Sequence, residues 1–324
     1  MVTAISLWIV VGGALALYIG WSALAIVGGA NPWPYVLGAP AIYATLLVSI
    51  AAWWFALAWR FRSPRPPAMQ IGLGASMRLF WNEVSAIASS GPRMALFRWL
   101  VPDPPPHRAD APVLLLHGVL CNAGMWMGFR NALIKRGLGP VYALSYGPPL
   151  ASIDDFADQV AAKIDDILRA TGASRVAIVG HSMGGLVARA YRRRYGDANI
   201  SMLMTLGTPH HGSVHARFFP GTCLRQLRPG NAWLAELNRS ERPSAAGRLI
   251  SLWSWHDSMV APQASSRLTG AHNIELTGIG HTALIGDDQV IALVAAELGR
   301  IARDAKAYEQ APLAVAREVA SHHQ

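Results

Sequence analysis

Charge is scarce in this chain of 324 residues: 15% are Asp, Glu, Lys or Arg, whereas 52% are hydrophobic. A soluble enzyme of this length rarely has so apolar a composition, and most of the excess falls in the first sixty positions. Lysine is nearly missing, confined to Lys135, Lys163 and Lys306, so arginine supplies most of the net charge of +9. No basic stripe interleaved with aromatics accompanies that charge, which argues against nucleic acid as a partner; an anionic membrane surface suits it better. The two cysteines, Cys121 and Cys223, stand far apart and in no CxxC or zinc pattern. They form either one disulfide in an oxidising compartment or two free thiols. The length holds one catalytic domain plus an appendage.

What is abundant is apolar sequence at the start. Residues 4–28 and 35–59 each run for 25 positions without a charged side chain. A helix needs roughly 20 apolar residues to cross a bilayer, and Asn31-Pro32-Trp33-Pro34 between the runs reads as a tight turn with an interfacial aromatic. Residues 1–62 are therefore expected to form a transmembrane helical hairpin, with Gly12, Ala16 and Gly20 on one face letting the second helix approach closely. A cleaved signal peptide fits less well, since no basic residue precedes the first run and a second follows at once. Arg60, Arg62 and Arg65 close the second run, while the amino terminus and the turn hold no Lys or Arg. The positive-inside rule then assigns residue 60 onward to the cytoplasm.

Residues 63–110 connect this anchor to the rest. Leu73, Met77, Phe80, Trp81, Val84, Ile87 and Ala88 recur at helical spacing within 71–91, with Arg78, Asn82, Glu83 and Ser89 elsewhere around the helix. Such a helix lies either on the membrane or against the next domain. Pro92 is expected to end it, and the proline-rich stretch 102–106 forms a stiff linker. From 111 to 304 short apolar runs alternate with helical stretches, the pattern of a mostly parallel sheet with helices on both faces. Strands are expected at 112–117, 140–146, 175–179, 202–206, 249–255 and 273–277, and helices at 125–136, 153–170, 184–195 and 288–303. Ser152 with Asp155 three residues on marks a capping box. The stretch 212–247 breaks the alternation and reads as a lid; residues 305–324 read as a tail. Within the lid, Phe218, Phe219, Leu224, Leu227, Trp233, Leu234 and Leu237 line either a greasy cover or the core of a small cap. Arg217, Arg225, Arg228 and Arg239 meet either a phosphate or headgroup, or solvent.

Chemistry enters at Gly180-His181-Ser182-Met183-Gly184, a G-x-S-x-G pattern between strand-like RVAIV and helix-like GLVARAYRRRY. The glycines permit a sharp strand-to-helix turn that exposes the Ser182 hydroxyl beside a helix amino terminus. A serine hydroxyl is a weak nucleophile and needs a base. In hydrolases built on such an elbow the chain order is Ser, then acid, then His. His281, in Gly278-Ile279-Gly280-His281-Thr282, is the candidate base. Asp257, after the strand LISLWSW, is the candidate acid that fixes the imidazole tautomer. Glu275 inside a strand and Asp287 or Asp288 before the last helix are weaker candidates, and His256 beside the acid is expected to point away. The oxyanion donors are expected to be the backbone N–H groups of Val119 and Met183. His117, Leu120 and His181 flank these groups and are expected to contact substrate, although His117 alternatively orients the oxyanion loop by hydrogen bonding.

The runs LLLHGVLCNAGMW, GHSMGG and LGTPHHGS, then the aspartate and the GHTAL histidine, occur in an order and spacing that resemble the bacterial lipase and esterase group of the α/β-hydrolase superfamily over about residues 111–300. The resemblance implies an α/β-hydrolase fold behind the hairpin. It also implies carboxylic-ester or lipid-ester hydrolysis without an organic cofactor, with Ser182, Asp257 and His281 as the triad and Val119 and Met183 as oxyanion donors; no metal is expected. The Gly207–Gly212 segment resembles the lead into a lid. No calcium-ligand pair or disulfide pattern of secreted members is present, so secretion is not carried over and the expected location is a bacterial inner membrane. A membrane-anchored esterase or lipase acting on acyl esters in or near lipid is the leading expectation. A phospholipase A or an acyltransferase would use the same motifs, and a non-catalytic membrane scaffold or a haloperoxidase-like branch would keep the fold. The sequence leaves the oligomeric state open.

Overall fold

Six runs become strands, the inner four because burial on both faces rewards continuous apolar sequence, while the last, HNIEL, is an edge strand with three polar residues of five. In the computed structural model, which describes residues 2–240 and 249–321, these are β1 (Val113–Leu116), β2 (Val141–Leu144), β3 (Val176–His181), β4 (Ile200–Leu206), β5 (Leu249–Ser254) and β6 (His272–Leu276). All pairings are parallel and the order is β2-β1-β3-β4-β5-β6. The order reverses between β1 and β3, and the crevice beyond the carboxyl ends at such a switch point is where ligands bind in open α/β sheets. The loop after β1 carries Val119 and the turn after β3 carries Ser182.

The helices are α1 (Val2–Val27), α2 (Trp33–Arg60), α3 (Leu73–Ala95), α4 (Phe97–Leu100), α5 (Met127–Lys135), α6 (Ile153–Thr171), α7 (Met183–Tyr195), α8 (Thr222–Gln226), α9 (Ala232–Arg239) and α10 (Asp288–Ser321). Successive strand residues feed opposite faces of the sheet. Leu114, Leu116 and Ile178 pack with α6 and α7 through Val160, Ile164, Leu186 and Val187. Leu115, Ala177 and Val179 pack with α5 and α10 through Phe129, Leu133, Val290 and Val294. The expected capping box is present at α6, where Ser152 accepts from the Asp154 amide and Asp155 reaches back to the Ser152 amide.

Several expectations need correction. Pro92 does not end α3, which continues to Ala95, because proline removes only its own N–H while its carbonyl still accepts from the Leu96 amide. Gly12 and Gly20 do not form the close contact of the hairpin, since nothing lies within 4 Å of a side chain built there. The tight approach is at Gly38, where a Cβ would lie 2.4 Å from Tyr18 Oη, and Tyr18 donates to the Tyr35 carbonyl at 2.8 Å. The last helix runs on to Ser321 instead of ending at 303, so the expected tail is helical as far as the structure describes it. Within the expected lid a short 3-10 turn, α8 and α9 form a cap whose Leu224, Leu227, Leu234 and Leu237 are core residues. Phe218 and Phe219 alone of that apolar set are exposed. Residues 241–247 of the lid lie outside the described residues.

The second and third helices grip the sheet domain. α3 runs antiparallel to α2, with Phe80 against Phe55 and the Ala88 carbonyl accepting from Tyr43. The Trp53 ring meets His215, Phe218 and Phe219 edge-on at 6.0, 5.7 and 6.0 Å between centroids. Ser63 exchanges hydrogen bonds with Gln263 and the Ala264 amide at 3.1 and 2.9 Å. Asn122 donates to the Met94 carbonyl at 2.9 Å, and a Cβ on Gly124 would lie 2.1 Å from the Arg93 carbonyl oxygen. Of the two placements open for the α3 helix, packing on the next domain is realised, though Leu73, Met77 and Trp81 stay exposed.

Candidate active site

Ser182 follows β3 in a conformation that non-glycine residues avoid, with φ 56° and ψ −127°. That strain, about 1–3 kcal/mol, is held by its surroundings. The Ser182 amide donates to the Leu206 carbonyl at 2.9 Å, and Thr208 Oγ1 donates to the Ser182 carbonyl at 2.8 Å. The flanking glycines are required by space, since a Cβ at Gly184 would lie 2.3 Å from the Leu116 carbonyl oxygen and one at Gly180 would lie 2.6 Å from the backbone of Gly184.

Asp257 stands just past β5 and His281 just past β6, exposed by 2% and 4%. Asp257 Oδ1 accepts from the Met259 and Val260 amides at 2.8 and 2.7 Å, and Oδ2 lies 2.8 Å from His281 Nδ1. With Nδ1 donating to the carboxylate, a neutral ring keeps Nε2 as an acceptor. Burial pulls the His281 pKa down, but the charge and hydrogen bond of Asp257, with the charge of Glu83, outweigh it and raise the value above 6.5. Ser182 and His281 line one cavity of about 300 Å³. The structure thus gathers a hydroxyl, an imidazole and a carboxylate in the order nucleophile, base, acid.

Val119, Leu120 and His181 line the same cavity. Among the described residues neither the Val119 nor the Met183 amide is spent on a backbone carbonyl. His181 Nε2 donates to the His281 carbonyl at 2.9 Å, and burial, with the nearby His281, holds its pKa down to about 3, so the ring is neutral. His117 does not fit the expected substrate contact. Its ring stacks on Tyr146, Nδ1 donates to the Gly118 carbonyl at 2.8 Å and Nε2 accepts from the Tyr146 amide at 3.3 Å. The Tyr146 hydroxyl donates to the His117 carbonyl. With both nitrogens engaged and burial lowering its pKa to about 4, His117 fastens the loop that carries Val119.

The other candidates are occupied elsewhere. His256 accepts from the Gly278 amide at 3.1 Å, and burial with Arg65 nearby lowers it to about 4. Glu275 accepts from Trp255 Nε1 at 2.9 Å, and Asp287 caps α10 through the Gln289 and Val290 amides at 2.9 and 3.1 Å. His210 is buried between Arg189 and Thr205, so the Gly207–Gly212 segment braces the elbow through Thr208 and the sheet through His210. Cys121 and Cys223 are free thiols, raised by burial to about 12 and about 11. Among the described residues no group of three or more His, Cys, Asp or Glu is spaced to hold a metal ion.

Two features escape the sequence reading. Part of the cavity wall comes from Trp54 of α2 and from Ile87, Ser90 and Met94 of α3. Glu83, assigned to the polar side of α3, is buried at 0% exposure among the loops around His281. One signal marks it: Glu83 is the only acidic residue ahead of Asp103.

Residues 111–251 match a family model described as alpha/beta hydrolase fold. A triacylglycerol lipase of Pseudarthrobacter phenanthrenivorans is 31% identical over 122 residues, which span 33% of this chain and 35% of the lipase. One from Burkholderia plantarii is 31% identical over 122 residues, covering 33% of this chain and 32% of its own length. The chain therefore spans about a third of these curated relatives. Among solved structures, the mature form of a Bacillus licheniformis lipase superimposes with a TM-score of 0.54 at 18% identity, covering 60% of this chain and 96% of that one.

Proposed function

Because this chain has an α/β-hydrolase fold, we propose that it is a serine carboxylic-ester hydrolase, an esterase or lipase, that works while anchored in a membrane. The observation that carries the reading is the buried Asp257–His281 pair at 2.8 Å, on a cavity that the strained Ser182 also lines. In the proposed reaction Ser182 Oγ attacks the ester carbonyl carbon as its proton passes to His281 Nε2. The Val119 and Met183 amides donate to the oxyanion of the tetrahedral intermediate, where loss of one donor typically costs roughly 10²–10³ in rate. The carbon–oxygen bond to the alcohol then breaks and His281 returns the proton to the leaving oxygen. A water, deprotonated by the same nitrogen, cleaves the acyl-enzyme and restores Ser182. Asp257 holds the ring and stabilises the imidazolium that forms between these steps.

The substrate assigned here is an acyl ester drawn from lipid. The cavity is walled by Trp54, Ile87, Met94, Met125, Leu224 and Leu227, which suits an acyl chain. Membrane anchoring is supported by α1 and α2, whose Ile9–Val27 and Trp33–Arg60 stretches have mean hydropathies of 2.0 and 1.9 and are almost unburied. From Trp53 onward α2 packs on the catalytic domain and Tyr43 meets α3, while the 28 residues of α2, about 42 Å at 1.5 Å per residue, are more than a bilayer core needs. With Arg60, Arg62 and Arg65 at its end, we assign the catalytic domain to the cytoplasmic side.

The test is to treat the detergent-solubilised full chain with a fluorophosphonate probe and assay p-nitrophenyl esters from C2 to C16 beside phospholipids, with and without an alcohol acceptor. Labelling and turnover that vanish in Ser182→Ala are expected, by about 10⁶-fold in kcat. Label retained in that variant overturns the site, and an unreactive wild type overturns the hydrolase. Acyl transfer to the alcohol in preference to water makes the protein an acyltransferase instead. For orientation, Arg169→Cys on an exposed turn of α6 should resist an impermeant thiol reagent in sealed spheroplasts; its labelling would reverse the assignment.

A further inference from the structure

Glu83 lies on α3, outside the segment that matches the hydrolase family, and is fully buried. A buried carboxylate is costly unless hydrogen-bond donors match it. Its donors come from two loops far away in the chain. Oε1 accepts from Ser258 Oγ at 2.8 Å and from the Thr282 amide at 2.9 Å, and Oε2 accepts from the Ala283 amide at 3.0 Å. Ser258 Oγ in turn accepts from the His281 amide at 3.4 Å. One carboxylate therefore holds the residue after Asp257 and the two residues after His281. Gly280 makes the fit possible, since a Cβ there would lie 2.3 Å from Glu83 Oε2.

Resting on the hydrolase reading above, we propose that Glu83 is a positioning residue for the acyl transfer: a carboxylate clasp, delivered by the helix ahead of the catalytic domain, that fixes the Asp257 and His281 loops against each other. It touches neither substrate nor the reacting atoms. Its hydrogen bonds set where the His281 ring stands, and its charge acts on that ring. An arrangement of this kind is sensitive, because a misplacement of about 1 Å can cost around 10²-fold in rate.

The charge supplies a readout that packing alone would not move. The titratable groups facing His281 are Asp257, Glu83, His181 and His215. Burial holds His181 at about 3 and His215 at about 4, so both stay neutral from pH 5 to 9 and the acid limb of activity reports His281. Glu83 raises the His281 pKa by its charge. Removing that charge lowers the pKa, so the acid limb moves to lower pH.

The experiment compares wild type, Glu83→Gln and Ser258→Ala as full chains in detergent, by kcat and KM across pH 5–9, fluorophosphonate labelling of Ser182 and circular dichroism. Gln keeps the oxygen that faces Ser258 and Thr282 but turns an NH₂ group toward the Ala283 amide. Glu83→Gln should lower kcat on the order of 10–100-fold with KM nearly unchanged and shift the acid limb downward. Ser258→Ala should lower kcat without moving the limb, because the charge stays. Wild-type kcat and an unmoved limb in a folded Glu83→Gln overturn the proposal. If that variant does not fold, Ser258→Ala decides: a folded protein with reduced kcat supports the clasp, and wild-type kcat overturns it. An unlabelled, inactive wild type overturns the hydrolase reading and this role with it, whereas a labelled wild type with indifferent variants overturns the clasp alone.

Discussion

Asp257 divides its carboxylate between its own loop and His281: Oδ1 is held by the Met259 and Val260 amides, which aims Oδ2 at His281 Nδ1 from 2.8 Å. The aspartate is thus immobilised before it orients anything else. An Asn at this position would keep its oxygen on the two amides and present NH₂ to Nδ1, forcing the ring into the tautomer with hydrogen on Nε2. Asp257→Asn should therefore lower kcat by about 10⁴-fold while the far-ultraviolet circular dichroism stays that of the wild type. A loss below tenfold would contradict the assigned role.

The pH dependence has a definite sign. In the proposed reaction His281 must be neutral to accept the serine proton, and its pKa is raised above 6.5 by Asp257 and Glu83 in spite of burial. Activity should fall as pH drops through that raised value, giving an acid limb in kcat/KM centred above pH 6.5. A profile measured with a p-nitrophenyl ester whose limb is centred below 6.5 would refute the balance of charges described for this ring.

Backbone crowding at the elbow leads to a stability prediction. Gly184→Ala puts a Cβ 2.3 Å from the Leu116 carbonyl oxygen and 2.7 Å from that of His117, and should cost about 3 kcal/mol or more. Gly286→Ala, with nothing within 4 Å, should change stability by less than about 0.5 kcal/mol. Thermal unfolding in one detergent measures both, and equal melting temperatures would contradict the crowding argument.

The cavity wall predicts chain-length selectivity. Ile87→Trp enlarges a side chain that lines the cavity from α3. It should lower kcat/KM for C12–C16 esters at least about tenfold, with a smaller effect on C2–C4. Equal effects across the series would detach this cavity from acyl binding.

Ser182, Asp257 and His281 are legible in the sequence because each belongs to a local pattern: an elbow between strand and helix, and two polar residues just past apolar strands. Parallel pairing then carries all three to one edge of the sheet, and the strands themselves are legible because buried parallel strands are uninterrupted apolar runs. Glu83 is hidden for the opposite reason. Its partners Ser258 and Thr282 are 175 and 199 positions away, and a helical-period count assigns a lone carboxylate to the polar side. The helix extends past Pro92 because only that residue's own N–H is missing, which composition does not reveal. Gly12 and Gly20 mislead for a related reason: small residues permit close packing, but the partner surface decides where it occurs. His117 lies between these cases, since its place beside the proposed oxyanion loop is plain and only the structure shows both nitrogens engaged.

Trp54 belongs at once to an apolar helix and to the wall of the cavity that Ser182 and His281 line. A shortened chain that starts after α2 would have an active site open along one side, and any gain in solubility would come with a leak. Making a free-standing form of this protein is thus a problem of rebuilding a missing panel, and deletion of the leading helices does not solve it.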